Sequence, residues 1–274
     1  MRLIRSIRPI SDIPAGTARD LLGILFDIDD TFTVAGRIPA ASFSALWDAR
    51  NAGLVTVPIT GRPAGWCDHI ARMWPVTGVV GENGALAFYY DEDEKRLKKR
   101  FFVDPVEAAK TRGLLLAAAD EVLRSVPGTA LATDQAYRLF DVAVDFTEDV
   151  KPLSRDEVGR ICEIFGRHGL TYKVSSIHVN AWLGTYDKLS MTKIFAREVM
   201  GLDLDENQDR FIFFGDSPND EPMFAYFPLG VGVANVRRFV EMMKSPPAYV
   251  TEGEGGLGFA EGVRLILDKK GGCP

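Results

Sequence analysis

The chain has 274 residues, with 32 lysines and arginines against 38 aspartates and glutamates, and a formal net charge of −6. This length fits one large domain or two smaller ones, and 46% hydrophobic residues exclude a disordered chain, which could not bury enough apolar surface to fold. The acidic balance argues against nucleic acid as a partner, since proteins that bind it generally carry a basic surface.

The first third of the chain alternates between strand and helix patterns after an irregular lead-in over residues 1–20. The predicted strands are 21–26, 54–59 and 77–80, and the predicted helices run from Pro39 to Gly53 and from Pro63 to Ile70. Such alternation is typical of a parallel sheet whose strands are joined by crossover helices.

The middle of the chain has a different pattern. A hairpin is predicted from two strands, 85–90 and 100–103, around a charged tip. The later elements of this block are helices near 105–123 and 154–168 and strands 138–146, 170–174 and 178–183. These elements predict a small α/β unit inserted into the first one.

From Lys188 the original alternation resumes. The predicted helices are 189–200, one from Pro218, 236–243 and a last one ending near 267, and the predicted strands are 210–214, 229–233 and 248–250. We therefore predict an α/β protein with a parallel-sheet domain, residues 1–88 and 187–274. A cap of residues 89–186, about 100 residues and so within normal domain size, interrupts it.

Cellular location is predicted from cysteines and apolar runs. The cysteines Cys67, Cys162 and Cys273 form no CxxC pair and are odd in number, which favours reduced thiols in a cytoplasmic protein. The start of the chain lacks the apolar stretch of a signal peptide. No apolar run approaches the length needed to span a bilayer, so we expect no membrane partner.

Polar residues directly follow three of the predicted strands. Asp27, Asp29 and Asp30 follow the first strand, Thr60 follows the second, and Asp216 follows the strand over 210–214. Each alone fits an ordinary turn or helix cap. In an open parallel sheet, however, ligands bind at the carboxyl ends of the strands. Together these residues predict a site that holds a hard divalent cation through oxygen ligands.

The motifs in combination resemble those of the haloacid dehalogenase superfamily of phosphohydrolases. The motifs are Asp27-x-Asp29-x-Thr31-x-Thr33, Thr60 after an apolar strand, Lys188, and Gly215-Asp216-Ser217-Pro218-Asn219-Asp220. The position of the insert, together with Thr60-Gly61-Arg62-Pro63, Glu82-Asn83-Gly84 and Asp187-Lys188, resembles subclass IIB. That subclass includes Cof-type sugar phosphatases, sucrose-phosphate phosphatase, mannosyl-3-phosphoglycerate phosphatase and phosphomannomutase. The resemblance covers residues 21 to 268 and implies a Rossmann-like core whose cap reads the leaving group.

The resemblance also implies a role for each motif residue. Asp27 would be the nucleophile that forms an aspartyl-phosphate, and Asp29 would exchange protons with the leaving group and water. Thr60 would hold a phosphoryl oxygen, and Lys188 would neutralise its charge. The implied cofactor is Mg²⁺, with metal ligands Asp27, Asp29 through its backbone carbonyl, Asp216 and Asp220. Asp220 has the alternative role of orienting Lys188.

Six residues are candidates for substrate binding: Arg62, Asn83, Ser176, His178, Asn180 and Asn219. Arg62 follows Thr60 closely enough to reach a phosphate, although an arginine that caps a loop fits as well. Asn83 also fits a tight turn. Strand alternation places Ser176, His178 and Asn180 on one face of the cap, which faces either the core or solvent.

These features predict a Mg²⁺-dependent phosphomonoesterase that acts on a small phosphorylated metabolite, in the first place a sugar phosphate. A phosphomutase would use the same aspartyl-phosphate, but it needs a cluster of cap cations for a second phosphate, and the basic residues of this cap are scattered. A regulatory protein that has lost catalysis would be expected to lack Asp27 or Asp29, and both are present. The sequence leaves the oligomeric state open.

Overall fold

The computed structural model describes residues 7–271. The elements of the first half are β1 (Arg8–Pro9), α1 (Ala15–Asp20), β2 (Gly23–Phe26), α2 (Ala40–Asn51), β3 (Val55–Pro58), α3 (Ala64–Met73), β4 (Val79–Gly81), β5 (Leu86–Asp91), β6 (Arg96–Phe101), α4 (Pro105–Ser125) and β7 (Ala130–Leu131). Those of the second half are β8 (Asp141–Asp145), α5 (Arg155–Arg167), β9 (Thr171–Val174), β10 (His178–Trp182), α6 (Lys188–Val199), α7 (Leu204–Asn207), β11 (Phe211–Gly215), α8 (Glu221–Tyr226), β12 (Leu229–Gly232), β13 (Tyr249–Val250) and α9 (Gly255–Lys270).

Six parallel strands form the central sheet in the order β1-β13-β12-β11-β2-β3. Side chains from both faces of β2 are buried: Phe26 packs with α2 and α9, and Leu25 packs with α6 and α8. Helices therefore cover both faces of the sheet, which is why its strands are apolar throughout rather than alternating. The predicted α/β class and parallel-sheet core are confirmed.

The inserted part contains a four-stranded antiparallel sheet in the order β7-β8-β10-β9. Helices α4 and α5 cover one of its faces and bury Val142, Val144, Val179 and Ala181 between them. Because successive side chains of a strand point to opposite faces, His178 and Asn180 project from the other face, where they too are buried.

A third, antiparallel sheet, β4-β5-β6, contains the predicted hairpin with its exposed charged tip. We expected residues 77–80 to be a third parallel strand. Instead β4 pairs with β5, and a single parallel bridge between Ile59 and Val80 joins it to the central sheet. The predicted domain boundary at 88/89 falls inside β5, and the boundary at 186/187 immediately precedes α6.

Three sequence-based expectations were wrong in detail. Residues 8–20 are not irregular, because β1 pairs with β13 and the side chains of Ile10 and Ile13 are buried against the core. The strand expected over 138–146 begins only at Asp141, since the preceding N–H groups of Leu139 and Phe140 bond to a side chain. The helix expected over 236–243 is two 3-10 turns, broken at the non-helical Phe239.

Two remaining sequence-based expectations concern cysteines and membranes. Cys67 and Cys162 are free thiols, and Cys273 lies outside the described residues. Across residues 7–271, no helix combines the length and the hydropathy that crossing a bilayer requires.

Candidate active site

The site begins at the carboxyl ends of three neighbouring strands. β11, β2 and β3 lie side by side, with Phe26 in register with both Phe214 and Pro58. The residues that follow these strands, Asp216, Asp27 and Thr60, are therefore brought to one edge of the sheet. The backbone N–H of Asp27 donates to Phe214 O at 2.9 Å, which fixes the start of the loop after β2.

Three carboxylates meet at this edge. Oxygens of Asp27, Asp216 and Asp220 lie within 4.8 Å of one another, and all three residues are buried; we call them the carboxylate cluster. Lys188 Nζ donates to Asp27 Oδ1 at 2.7 Å and to Asp220 Oδ1 at 2.8 Å. One buried ammonium thus bonds to two of the three carboxylates. Within residues 7–271, Asp216 receives only long contacts, from Thr31 Oγ1 at 3.3 Å and Asn235 Nδ2 at 3.4 Å.

The cluster is short of positive charge, and the pKa values reflect this. Burial raises the pKa of Asp27 to about 8, with repulsion from Asp220 and Asp29 adding to it and Lys188 opposing it. Burial, followed by the charges of Asp220 and Asp27, raises the pKa of Asp216 well above its usual value. A divalent cation would relieve both effects. The cluster can hold a metal ion, and its donors are the oxygen ligands that hard cations prefer.

Glycines allow the chain segments of this site to approach closely. A Cβ on Gly215 would lie 2.5 Å from Asp220 Oδ2, the oxygen that accepts the Asp216 N–H. Gly84, at φ +103°, packs so tightly on Asp187 that a Cβ would collide with its carbonyl oxygen. Asp187 in turn caps α6 by accepting the N–H of Ser190, so Lys188 sits in the first turn of the helix and reaches the cluster.

Asp29 does not join the cluster through its side chain. Its carboxylate instead accepts from Arg62, with Nε at 3.0 Å and Nη2 at 2.8 Å. Arg62 also contacts two residues of the inserted part, Glu148 (Nη2 to Oε1, 2.6 Å) and Asp134 (Nη1 to Oδ2, 3.4 Å). The ring of Trp66 covers the guanidinium, with 4.5 Å between Cζ and the ring centroid. Arg62 therefore connects the loop after β2 to the inserted part.

A narrow cavity separates the sheet edge from the inserted part. The predicted site residues on its wall are Asp27, Asp29, Arg62, Ser176, His178, Asn180 and Asn219. In this closed state the cavity has room for roughly one water molecule. The two parts of the molecule are thus closed upon each other around these polar side chains.

Two predicted residues lie behind the cavity wall. Thr60 is fully buried, and its hydroxyl oxygen accepts the N–H of Arg62 at 3.0 Å. Asn83 donates to Asp141 Oδ2 at 3.4 Å, on the same oxygen that accepts from Asn180 at 2.9 Å. In this closed arrangement Thr60 fixes the backbone of Arg62, and Asn83 bonds to Asp141, which also binds Asn180 on the wall.

A second buried group, which sequence reasoning missed, backs the cavity; we call Glu82, Asp134, Arg138 and Asp141 the cap-side network. Arg138 is fully buried and donates to Asp134, to Asp141 and, at 2.9 Å, to the carbonyl of Gly61. Glu82 accepts four backbone N–H groups, those of Ala64, Leu139, Phe140 and Asp141. The Glu82-Asn83-Gly84 motif drew attention to Glu82, but the sequence does not indicate which distant residues bond to it.

Comparisons with known proteins support the fold. No family model matches the chain, and no curated protein matches it. Among solved structures, a haloacid dehalogenase/Cof-like hydrolase from Plasmodium vivax matches with a TM-score of 0.64 at 16% identity, over 93% of this chain and 98% of that one. The sucrose-phosphatase from a Synechocystis species, in complex with sucrose and phosphate, matches with a TM-score of 0.61 at 15% identity, over 90% and 98%.

A third solved structure bears on the subclass. A sugar phosphatase of subclass IIB matches with a TM-score of 0.56 at 16% identity, over 84% of this chain and 92% of that one. Identities this low establish the fold and not the activity. The chain therefore has the core-and-cap fold of the haloacid dehalogenase superfamily hydrolases, with subclass IIB sugar phosphatases among its structural neighbours, as its sequence motifs predicted.

Proposed function

We propose that this protein is a Mg²⁺-dependent phosphomonoesterase that hydrolyses a small sugar phosphate through an aspartyl-phosphate intermediate. The core, residues 1–88 and 187–274, carries the chemistry, and the cap, residues 89–186, selects the substrate. The observation that carries this proposal is the carboxylate cluster with Lys188 beneath a polar cavity closed by the cap. Buried carboxylates so short of positive charge are unfavourable as structure alone, and they suit a metal-assisted reaction.

Asp27 is the nucleophile in this proposal. Its carboxylate lies on the cavity wall and is held by Lys188 at 2.7 Å. Attack by an Asp27 oxygen on phosphorus forms the acyl phosphate and breaks the bond to the leaving oxygen. Lys188 stays at hydrogen-bond distance from Asp27, where a fixed ammonium stabilises the charge of the transferred phosphoryl group.

Asp29 supplies and removes the proton. It lies on the same wall but outside the cluster, where its carboxylate faces Arg62 rather than Lys188. Asp29 donates a proton to the leaving oxygen in the first half of the reaction. In the second half it accepts one from the water that hydrolyses the aspartyl-phosphate. Arg62 orients Asp29, and because it shares the cavity wall with Asp27 it would also bind a phosphoryl oxygen.

The residues that would hold Mg²⁺ are Asp27 and Asp216 through carboxylate oxygens and Asp29 through its backbone carbonyl. Asp220 would hold it through a water while keeping its bond to Lys188. A bound divalent cation would supply Lewis-acid stabilisation of the phosphoryl charge. Asp27, whose pKa is raised by burial, would then be held in the ionised form that the nucleophilic step requires.

A sugar phosphate is supported by the cap residues on the wall and by the sucrose and phosphate bound to the Synechocystis sucrose-phosphatase. Because the closed cavity has room for about one water molecule, a substrate has to enter with the cap open. The test is phosphate release from a panel of sugar phosphates and phosphoglycerate derivatives with and without Mg²⁺. Release that depends on the metal supports the proposal, and no release from any ester would reject it.

A further inference from the structure

We infer that the cap selects phosphomonoesters whose leaving group is neutral and rich in hydroxyl groups. Leaving groups that carry a second phosphate or a carboxylate are rejected, and Glu148 is the residue that enforces this choice. The inference rests on the proposed phosphatase activity and adds to it a charge requirement on the part of the substrate that is released.

The first support is that the cations around the cavity are already paired. Within residues 7–271 these cations are Arg62 and Arg138 on the wall and Lys188 beside Asp27. They contact six carboxylates: Asp27, Asp29, Asp134, Asp141, Glu148 and Asp220. A second anionic group on the substrate would need a cation of its own, and the wall has none to spare once the transferred phosphoryl group has taken Arg62.

The second support is the position of Glu148. Its side chain is 26% exposed and belongs to the loop that follows β8. Oε1 accepts from Arg62 Nη2 at 2.6 Å, and Oε2 lies 2.8 Å from His178 Nε2. Burial raises the pKa of this carboxyl, but His178 and Arg62 outweigh burial and lower the pKa to about 2. Glu148 therefore presents a full negative charge beside the cavity at any pH near neutrality.

The loop that carries Glu148 is held rigidly. The buried carboxylate of Asp145 accepts the N–H groups of Thr147 and Glu148 through Oδ1, at 2.8 and 2.7 Å. Its Oδ2 accepts the N–H of Asp149 at 2.8 Å. Because three backbone bonds fix this turn, the main chain of Glu148 is held beside the cavity, and its side chain is kept there by the contacts to Arg62 and His178.

The third support is the close pair formed by His178 and Glu148. The His178 side chain is 2% exposed and lines the cavity, and its Nε2 lies 2.8 Å from Glu148 Oε2. A hydroxyl group both donates and accepts, so one hydroxyl can bond to Nε2 and also donate to Glu148. An ionised carboxylate or phosphate dianion has no proton to donate to Glu148 and is repelled by it.

The test compares pairs of sugar phosphates that keep the same pyranose ring and differ in the charge of the leaving group. Glucose 1-phosphate is paired with glucuronic acid 1-phosphate, and glucose 6-phosphate with glucose 1,6-bisphosphate. For each compound kcat/KM is measured with Mg²⁺, or, where turnover is absent, the inhibition constant against p-nitrophenyl phosphate. We expect kcat/KM of the unmodified protein to be at least about 10-fold higher for the member of each pair whose leaving group is neutral. Glu148→Gln should reduce that preference by about 10-fold, which corresponds to roughly 1.4 kcal/mol.

Two further variants make the test specific. Glu148→Asp keeps the charge and should retain the rejection of anions, so it separates charge from shape and provides a folded variant if the glutamine form is unstable. Glu163→Gln makes the same charge change on an exposed position of α5 in the cap, and it should leave the preference unchanged.

The outcomes are distinguishable from those of the proposed function. The inference would be overturned if the unmodified protein favoured the ester with the anionic leaving group. Arg62 would then bind the second anionic group of the substrate. A preference that is the same in Glu148→Gln as in the unmodified protein would overturn the inference too. In both cases phosphate release would still support the phosphatase. Failure to release phosphate from p-nitrophenyl phosphate and from every sugar phosphate would instead reject the phosphatase itself.

Discussion

The carboxylate cluster and the cap-side network are both buried and both acidic, but their charges are compensated differently. In the cap-side network, Glu82 accepts four backbone N–H groups, and Asp134 and Asp141 share the guanidinium of Arg138. In the cluster, Asp27 and Asp220 share Lys188, and within residues 7–271 Asp216 has only long contacts, at 3.3 and 3.4 Å.

This difference teaches that burial of acidic groups does not by itself indicate a metal site. Burial and Asp141 raise the pKa of Glu82 to about 7, but its backbone N–H donors oppose this rise, and a carboxylate surrounded by donors in this way serves the fold. The cluster lacks those donors, so its carboxylates are left to be compensated by a bound cation. The proposed reaction requires that cation, whereas the fold does not. The comparison predicts that substitutions in the cluster change activity and metal response, whereas substitutions in the cap-side network change stability.

The largest expected effect is that of Asp27→Asn on turnover. An amide keeps the shape of the side chain but cannot attack phosphorus, so phosphate release with Mg²⁺ should fall at least about 1,000-fold, or ~4 kcal/mol. The metal-free variant should be at least as stable as the unmodified protein in thermal unfolding, because the amide cannot acquire the negative charge that burial, Asp220 and Asp29 disfavour at this position. Phosphate release near the unmodified rate would remove Asp27 from the nucleophile role.

The second prediction concerns pH and the metal-free protein. The pKa of Asp27 is raised from 3.8 to about 8 by burial, so between these values the folded state holds a proton that the unfolded chain has lost. The stability that this group contributes is complete below pH 4 and is lost as the pH rises through 8.

Between pH 5 and 8, the metal-free unmodified protein should therefore lose stability relative to Asp27→Asn, by as much as ~1.4 kcal/mol per pH unit. Chemical unfolding of both proteins across this range measures the difference. Parallel stability curves would mean that Asp27 is ionised throughout and that Lys188 compensates it fully.

The third prediction separates metal binding from catalysis. Mg²⁺ at about 100 times its dissociation constant should stabilise the unmodified protein by ~2.7 kcal/mol. Asp216→Asn should lose most of this gain, since the substitution removes one charged ligand of the site. Asp209→Asn, an equal charge change at an exposed position, should keep it. An undiminished Mg²⁺ effect in Asp216→Asn would place the ion elsewhere.

The sequence was sufficient for the strand ends that carry the candidate site because the relevant information is local. Apolar runs followed by Asp27, Thr60 and Asp216 identify strand ends, and parallel strands place their ends at one edge. The motifs around Lys188 and Asp220 added the remaining members of the site, which the fold then brings within hydrogen-bond distance. The roles of these residues remain predictions.

The cap side was harder to predict because its information is not local. Glu148, Asp134 and Arg138 have no motif, and they meet Arg62 only because the insert folds back onto the core. The lead-in was misjudged for the same reason, since β1 pairs with β13 at the far end of the chain. Glu82 lay within a recognised motif, but nothing in the chain reveals that three of its four N–H donors lie more than fifty residues away.

The smallest expected effect is that of Glu82→Gln on stability. Glu82 Oε1 accepts from Ala64 N at 2.9 Å, and Oε2 accepts from Phe140 N at 2.6 Å. Because an amide offers only one acceptor oxygen, either orientation of the substituted side chain sets its NH₂ group against one of these N–H donors. A buried donor left without an acceptor costs about 1–3 kcal/mol.

We therefore expect Glu82→Gln to lower the free energy of unfolding by ~2 kcal/mol. The exposed Glu163→Gln, with the same change in shape and charge, should lower it by less than ~0.5 kcal/mol. Chemical unfolding of the metal-free variants gives both values, and the Mg²⁺ stabilisation of Glu82→Gln should match that of the unmodified protein. A Glu82→Gln protein as stable as the unmodified one would mean that burial keeps this carboxyl neutral despite its four donors, and the cap-side network would then resemble the cluster.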